Sequence, residues 1–159
     1  MHKVTIDGII TTVKTGTTIL EAAGKIGVWI PTLCYNPTLA PSGSCRLCMV
    51  EIKRGNRTQL VTSCTYPIRS DLTVFVNSER AQKARKGVMQ LLLARAPESE
   101  ELRELAARMG VEGTPYPTVT ESQRNCILCG LCVQVCEQVM GCSAIGFAGR
   151  GVERAVATP

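Results

Sequence analysis

This chain is poor in aromatic residues, in histidine and in charge. Aromatic residues make up 4% of its 159 residues, charged residues make up 19%, and His2 is the only histidine, whereas hydrophobic residues reach 45%. The high hydrophobic content excludes a disordered tail and predicts a folded protein of one medium or two small domains. A core short of Phe, Tyr and Trp must be built from Val, Ile, Leu and Ala, which favours small modules supported by metal sites.

Long apolar runs are also missing. No stretch approaches the ~18 consecutive apolar residues that indicate a membrane helix. The N-terminal segment MHKVTIDGII lacks the apolar core and the small-residue cleavage site of a signal peptide. We therefore expect no membrane span, no leader sequence and a cytoplasmic location.

The basic residues do not indicate a nucleic-acid partner. The net charge is +5 with cysteine counted as neutral, and thiolates bound to metal would move the protein toward neutrality. The densest basic group is Arg80, Lys83, Arg85 and Lys86, whose helical spacing predicts a solvated helix face. The chain also lacks a nucleophile–base pair, a phosphate loop and a nucleotide-binding fingerprint, so no catalytic residue is predicted. The glycine-rich GFAGRG at 146–151 is interpreted as a turn.

Nine cysteines stand out against this background, and four of them lie between residues 34 and 64. They are Cys34, Cys45, Cys48 and Cys64, with the spacing Cys-x10-Cys-x2-Cys-x15-Cys. The proline, glycine and serine residues between the first two are loop formers that leave backbone N–H groups free to point inward. Four thiolates, a tight loop and no nearby histidine suit an iron–sulfur cluster or a tetrahedral zinc ion.

A second group of cysteines lies near the C-terminus. Cys126, Cys129, Cys132 and Cys136 follow the spacing Cys-x2-Cys-x2-Cys-x3-Cys, with Glu137 next. This is the spacing of bacterial 4Fe-4S ferredoxins, in which a proline follows the fourth cysteine and that cysteine serves the other cluster. Structural zinc and inert buried thiols are the alternatives. An odd number of cysteines in two Cys-x2-Cys groups favours metal over disulfides in a cytosolic protein.

The remaining pattern predicts a compact α+β domain over residues 1–77. Asp7-Gly8 between two β-branched runs is a hairpin signal, and Thr18 with Glu21 forms a capping box. The predicted strands are 3–7, 9–14, 49–53, 57–63 and 71–76, and the predicted helices are about 19–25, 79–94 and 98–109. The apolar stripe predicted for the 79–94 helix consists of Ala81, Ala84, Val88, Leu91 and Leu92.

Together, these motifs resemble a known family. The segments VTIDG, TILEAA, IPTLCY, GSCRLCMVEI, LVTSC, CILCGLCVQVCE and GFAGRG resemble the N-terminal electron-transfer region of the large iron–sulfur subunit of respiratory complex I. The chain is more similar still to the matching subunits of NAD-linked hydrogenases, formate dehydrogenases, transhydrogenases and flavin-based electron-bifurcating complexes. The resemblance covers nearly the whole chain.

The resemblance implies three parts. It implies a β-grasp 2Fe-2S ferredoxin domain at 1–77, with Cys34, Cys45, Cys48 and Cys64 as ligands of a 2Fe-2S cluster. A helical linker at 78–121 and a small 4Fe-4S module at 122–159 would follow. Cys126, Cys129 and Cys132 are the implied 4Fe-4S ligands.

The sequence departs from the family in two places. Family members usually hold a further cluster with one histidine and three cysteines, in a stretch that starts with His-Pro. Here residues 94–102 read ARAPESEEL, without histidine or cysteine, so this middle cluster is expected to be absent. Many relatives also continue into another cysteine set and a catalytic domain, whereas this chain ends at Pro159. We therefore expect any catalytic domain on another polypeptide.

The fourth 4Fe-4S ligand remains open between Cys142, Cys136 and a ligand from elsewhere. Cys136 lies one helical turn beyond Cys132, but in two-cluster ferredoxins this position faces the second cluster. Cys142 follows Gly141 at a position where relatives more often have an aliphatic residue, which suggests compensation for a missing ligand. Cys142 can also be read as a small buried hydrophobic residue.

The expected function is electron relay through one 2Fe-2S and one 4Fe-4S cluster in a multi-subunit, NAD(P)H-linked and electron-bifurcating oxidoreductase. The expected partners are a flavin- and NAD(P)H-binding subunit and a hydrogenase or formate dehydrogenase catalytic subunit. The alternatives are a free-standing soluble ferredoxin and a zinc-stabilised binding module. The basic character argues against a diffusing ferredoxin, which usually carries an acidic surface for steering, and the 34–64 spacing is unusual for zinc.

Overall fold

The computed structural model of the protein describes residues 1–119 and 125–158. The chain divides into two compact units. The first unit comprises Met1–Leu33 and Cys45–Gly87, and the second comprises Cys34–Ser44 and Val88–Pro159. The predicted three-part division at 77 and 121 stays a prediction, and its second boundary lies outside the described residues.

A five-stranded mixed sheet forms the first unit. Its strands are β1 (His2–Ile6), β2 (Ile9–Val13), β3 (Met49–Arg54), β4 (Arg57–Thr62) and β5 (Leu72–Phe75), in the spatial order β2-β1-β5-β3-β4. The central pair β1 and β5 is parallel, and the other three pairs are antiparallel. The β1–β2 turn forms at the predicted position, with Asp7 at φ 43° and Gly8 at φ 88°. Two consecutive positive φ values are those of a type I′ hairpin turn.

One short helix accompanies this sheet. Helix α1 (Ile19–Lys25) begins at the predicted capping box, where the Glu21 N–H donates to Thr18 and the Thr18 N–H donates to the Glu21 carboxylate. Its Ile19, Ala22 and Ala23 are buried. The core of the unit is aliphatic, as the scarcity of aromatic residues requires, and includes Val4, Ile6, Val50, Ile52, Ile68 and Val74. The predicted α+β class is therefore confirmed.

Helices are the main regular secondary structure of the second unit. Helix α2 (Glu79–Arg95) begins in the first unit and ends in the second, and it is followed by α3 (Glu100–Arg108), which Ser99 caps. Helix α4 (Leu131–Gln138) precedes a small hairpin of β6 (Gly146–Ala148) and β7 (Ala155–Ala157), with a 3-10 turn at Gly151–Glu153. The GFAGRG segment is therefore part strand and part turn, because the pairing with β7 extends its first three residues. In the described part of the chain, no helix is long and apolar enough to cross a bilayer.

The predicted buried face of α2 is correct at Ala81 and wrong at Leu91. The buried positions within Glu79–Leu93 are Ala81, Arg85, Met89 and Leu93, whereas Leu91 is 56% exposed. Residues 88–93 are apolar at almost every position, so the sequence does not define one buried face there. The tertiary contacts instead bury every fourth residue of the helix. Arg85 is not part of a solvated basic face. Burial lowers the pKa of its guanidinium, Asp7 opposes that effect, and Arg85 donates a hydrogen bond of 2.6 Å to the Val76 carbonyl.

Candidate metal centres

The first unit brings two of the predicted ligands into contact. The Sγ atoms of Cys48 and Cys64 lie 3.3 Å apart, and each residue is 1% exposed. Cys48 directly precedes β3 and Cys64 follows the end of β4, so the antiparallel pairing of the two strands places them side by side. A further bond of 3.0 Å from the Ser63 N–H to the Cys48 carbonyl continues this pairing up to the cysteines.

The separation of these sulfurs is suited to a shared metal ion. Two thiolates at about 2.3 Å from one tetrahedral metal lie roughly 3.8 Å apart. A pair at 3.3 Å needs only a small side-chain adjustment to reach that geometry. Burial is the second relevant property, because an unpaired buried thiolate is costly and a metal cation removes that cost.

The other two members of the group are placed differently. Cys45 is half-buried and starts the loop to Cys48, which turns through Arg46 at φ 60°. Cys34 is buried and lies in the segment Cys34–Ser44 of the second unit. Across residues 1–119 and 125–158, no three His, Cys, Asp or Glu side chains are gathered into a group that could hold a metal ion. The structure thus pairs Cys48 with Cys64, and the full four-cysteine ligand set stays a prediction.

A buried hydroxyl next to Cys64 fits the same chemistry. Ser63 is fully buried, and its Oγ has no hydrogen-bond partner among the described residues. A buried polar atom without a partner costs free energy unless an absent group satisfies it. Ser63 is bonded through its backbone to Cys48 and is adjacent in sequence to Cys64. The residues present therefore fit a sulfur-rich group, which would accept a hydrogen bond from this hydroxyl.

In the second unit, the predicted 4Fe-4S cysteines line a tight loop and the start of α4. Cys126 and Cys129 are half-buried and Cys132 is exposed. The chain turns sharply between them, with Leu128 at φ 52° and Gly130 at φ 76°. A Cβ atom on Gly130 would lie 3.0 Å from Cζ of Phe147, so glycine is needed both for the left-handed backbone and for the close approach of the ring.

The Phe147 ring is held in turn by a basic residue. The Arg154 guanidinium lies 4.1 Å above the ring centroid, the distance of a cation–π contact. The Arg154 carbonyl accepts a hydrogen bond of 2.8 Å from Arg95. The β6–β7 hairpin therefore supplies a packed lining for the loop that carries Cys129 and Gly130.

The two candidates for the fourth ligand lie next to each other. The Sγ atoms of Cys136 and Cys142 are 3.5 Å apart, with Cys136 buried and Cys142 exposed. The Ala144 N–H donates to the Cys136 sulfur at 3.1 Å. The pKa of Cys136 is lowered, mainly by a hydrogen bond from the backbone of Ile145 and next by one from the Cys142 thiol. Burial raises this pKa, and the Ala144 N–H lowers it further. The reading of Cys142 as a buried hydrophobic residue is wrong, because its side chain is exposed at the end of α4.

Sequence reasoning missed Ser63, Phe147 and Arg154. Ser63 had a usable signal, since it lies beside a predicted ligand at the end of a predicted strand. Phe147 and Arg154 had none, because only the β6–β7 pairing brings them to the cysteine loop.

Comparisons with known proteins agree with this geometry. A model of the 2Fe-2S iron-sulfur cluster binding domain matches residues 1–79. The chain is 32% identical to the mitochondrial NADH-ubiquinone oxidoreductase 78 kDa subunit of Candida albicans, over 98% of this chain and 25% of that protein. It is 34% identical to the NADP-reducing hydrogenase subunit HndD of Solidesulfovibrio fructosivorans, over 99% of this chain and 31% of that protein.

A solved structure extends the similarity to three dimensions. A chain of the NAD+-reducing [NiFe]-hydrogenase in its H2-reduced state superposes with a TM-score of 0.83 at 30% identity, covering 99% of this chain and 74% of that one. The fold of the N-terminal part is thus that of a 2Fe-2S ferredoxin-like α+β domain. The chain belongs to the family of iron–sulfur electron-transfer subunits related to those of NADH oxidoreductases and hydrogenases. It spans 25% and 31% of the length of the two relatives above, and 20% of an NADPH-Fe(3+) oxidoreductase subunit alpha of Geobacter sulfurreducens.

Proposed function

We propose that this chain relays electrons through one 2Fe-2S and one 4Fe-4S cluster within a multi-subunit, NAD(P)H-linked oxidoreductase. The observation that carries the proposal is the buried Cys48–Cys64 pair, at 3.3 Å, inside the domain that matches the 2Fe-2S family. Such a cluster supplies a one-electron acceptor when bound. The role of the protein is to hold the ligands, exclude water and donate hydrogen bonds to sulfur.

For the 2Fe-2S site, we propose Cys34, Cys45, Cys48 and Cys64 as the four ligands. The contact between Cys48 and Cys64 supports two of them, and the loop that joins Cys45 to Cys48 supports a third through its two-residue spacing. Cys34 rests on the family resemblance and on its burial. Leu47 and Val50, which lie close to Cys48 in the sequence, are also buried.

For the 4Fe-4S site, we propose Cys126, Cys129 and Cys132, with Cys136 or Cys142 as the fourth ligand. The left-handed turns at Leu128 and Gly130 support the assignment, because turns of this kind form concave loops whose backbone N–H groups suit a negatively charged cluster. The N–H bond from Ala144 to the Cys136 sulfur is of the kind that stabilises a metal-bound thiolate.

The partners that we propose are a flavin- and NAD(P)H-binding subunit and a catalytic subunit such as a hydrogenase or formate dehydrogenase. The support is the nature of the relatives, which are subunits of NADH and NADP-linked enzymes. Electron bifurcation within such a complex is part of the proposal. Copurification at fixed stoichiometry tests it, since a free-standing ferredoxin would purify without a constant companion.

The isolated chain is expected not to oxidise NADH. No nucleotide-binding fingerprint occurs in the sequence, so hydride acceptance must take place on another subunit. NADH consumption is followed under anaerobic conditions by absorbance at about 340 nm. The purified holo chain is measured alone and together with the flavin subunit that copurifies with it. Reduction of the clusters by NADH is expected only when both are present. NADH oxidation by the chain alone would refute the division of labour.

Ser63→Ala is expected to lower the reduction potential of the 2Fe-2S cluster. A hydrogen bond to sulfur stabilises the reduced, more negative form, and the Ser63 hydroxyl has no other partner among the described residues. The test is a redox titration followed by EPR, with Ser63→Thr as the control that keeps a hydroxyl. An unchanged potential in Ser63→Ala, at full cluster content, would show that this hydroxyl does not reach the cluster.

A further inference from the structure

A second close pair of sulfurs lies at the end of α4. The proposed relay uses at most one of the two as a cluster ligand. Cys136 is at the last turn of the helix, and Cys142 returns to it after the three residues that follow the helix. The N–H groups of Cys142 and Ser143 both donate to the Cys136 carbonyl, at 3.2 and 3.4 Å. Gly141 at φ 68° and Ser143 at φ 47° reverse the chain on either side of Cys142. The backbone itself therefore holds the two thiols together.

We propose that Cys136 and Cys142 form a reversible disulfide, which makes this dithiol a site of redox modification. Their Sγ atoms are 3.5 Å apart, so a bond of about 2.0 Å requires side-chain rotation over roughly 1.5 Å. Each iron of a 4Fe-4S cubane takes one cysteine. Only one member of the pair can therefore complete the set Cys126, Cys129 and Cys132, and the other remains a thiol beside it.

The different exposure of the two cysteines assigns their roles. Cys142 is exposed and meets an oxidant first, whereas Cys136 is buried. With a low-molecular-weight disulfide as oxidant, the Cys142 thiolate attacks one of its sulfurs and releases one thiolate. The Cys136 thiolate then attacks the Cys142 sulfur and releases the second thiolate. Two protein thiols are oxidised, one disulfide is reduced to two thiols, and the two protons pass to the released thiolates.

The hydrogen bonding of Cys136 makes the disulfide easy to reduce. The Ala144 N–H bond of 3.1 Å to its sulfur favours the thiolate over the neutral disulfide sulfur. Exposed disulfides whose reduced form is stabilised are the labile ones. Oxidation to the disulfide would also make both Cys136 and Cys142 unable to bind the 4Fe-4S cluster. This consequence rests on the proposed function, whereas the disulfide itself does not.

The test is peptide mapping of the anaerobically purified holo protein after treatment with oxidised glutathione. A Glu-specific protease cuts after Glu137, the only acidic residue between the two cysteines, and yields the fragments 122–137 and 138–153. These fragments can stay joined only through Cys142, because it is the single cysteine of the second fragment. We expect joined fragments after oxidation and separate fragments after reduced glutathione is restored.

Two variants identify the partner sulfur. In Cys136→Ala, the junction is expected to disappear and Cys142 to accumulate as its glutathione adduct, because the resolving thiol is gone. Cys142→Ala should give neither junction nor adduct in the second fragment. The proposal is overturned if wild-type Cys142 stays free or stops at the glutathione adduct, if the junction persists in Cys136→Ala, or if reduced glutathione does not reverse it. Because one cysteine of the pair is a candidate 4Fe-4S ligand, iron analysis of the same samples shows whether the disulfide forms with the cluster retained or only as iron is lost. A disulfide that forms in a protein without 4Fe-4S iron from the start would contradict the relay and not the disulfide.

Discussion

Cys48→Ala is expected to abolish the 2Fe-2S EPR signal of the reduced protein and to remove about two irons per chain. Cys48 contacts a second predicted ligand, Cys64 at 3.3 Å, and belongs to the Cys-x2-Cys pair. Its loss removes the sulfur that contacts the buried Cys64. Because metal binding is coupled to folding, the β3–β4 end that carries Cys64 should also exchange its amide hydrogens faster.

Cys142→Ala is the matched control for this prediction. It removes a cysteine that lies in the second unit, outside the Cys34–Cys64 group, so the 2Fe-2S signal should remain at full intensity. EPR on the reduced proteins compares the 2Fe-2S signals of the two variants directly. If Cys48→Ala keeps the signal of the parent protein, the assignment of the 2Fe-2S ligands is incorrect.

Gly149→Ala is expected to open the β6–β7 hairpin, with a local cost of roughly 2–5 kcal/mol from a left-handed alanine and a steric clash. Gly149 has φ 71°, and a Cβ there would lie 2.6 Å from the Glu153 carbonyl oxygen. The clash is with backbone, which cannot move away by rotation of a side chain. Even the lower figure corresponds to about 30-fold faster amide exchange at Phe147 and Val156, which pair across the hairpin.

Gly151→Ala separates strain from clash in the same loop. Gly151 also has a left-handed φ of 55°, but a Cβ there would meet no atom within 4 Å. It should cost only about 1–2 kcal/mol. Hydrogen exchange followed by mass spectrometry measures both variants, and equal effects would mean that the contact with Glu153 is absent in solution. Because Phe147 packs on Gly130, the Gly149 variant should also loosen the loop between Cys129 and Cys132.

Local sequence signals were sufficient for most of the elements. The Asp7-Gly8 turn requires two positive φ values that few other residue pairs adopt, and the structure has them. The capping box at Thr18 likewise uses only residues within one helical turn. At the start of α2, the Ser78 hydroxyl accepts a hydrogen bond of 3.2 Å from the Ala81 N–H. Each of these features is decided by interactions between neighbours in sequence, so a pattern of a few residues identifies it.

The buried face of α2 and the position of Arg85 could not be found in the same way. Its apolar residues nearly encircle the end of the helix, so amphipathicity does not choose a side. Arg85 is buried because its guanidinium reaches the Val76 carbonyl, nine residues earlier, in a position also influenced by Asp7. A charged side chain is predicted to be solvated unless such a partner is known, and the partner here comes from the packing of the sheet.

The sequence by itself determined the α+β class, the two cysteine groups and their thiolate chemistry, because turn residues, strand periodicity and Cys-x2-Cys spacing act over short distances along the chain. The tertiary structure alone decided which sulfurs meet. Cys48 and Cys64 are 16 residues apart and come together through the β3–β4 pairing. Cys136 and Cys142 come together through backbone bonds at the end of α4. The number of residues between two cysteines does not determine the distance between their sulfurs. That distance depends on strand register in the first pair and on the direction in which the chain leaves a helix in the second.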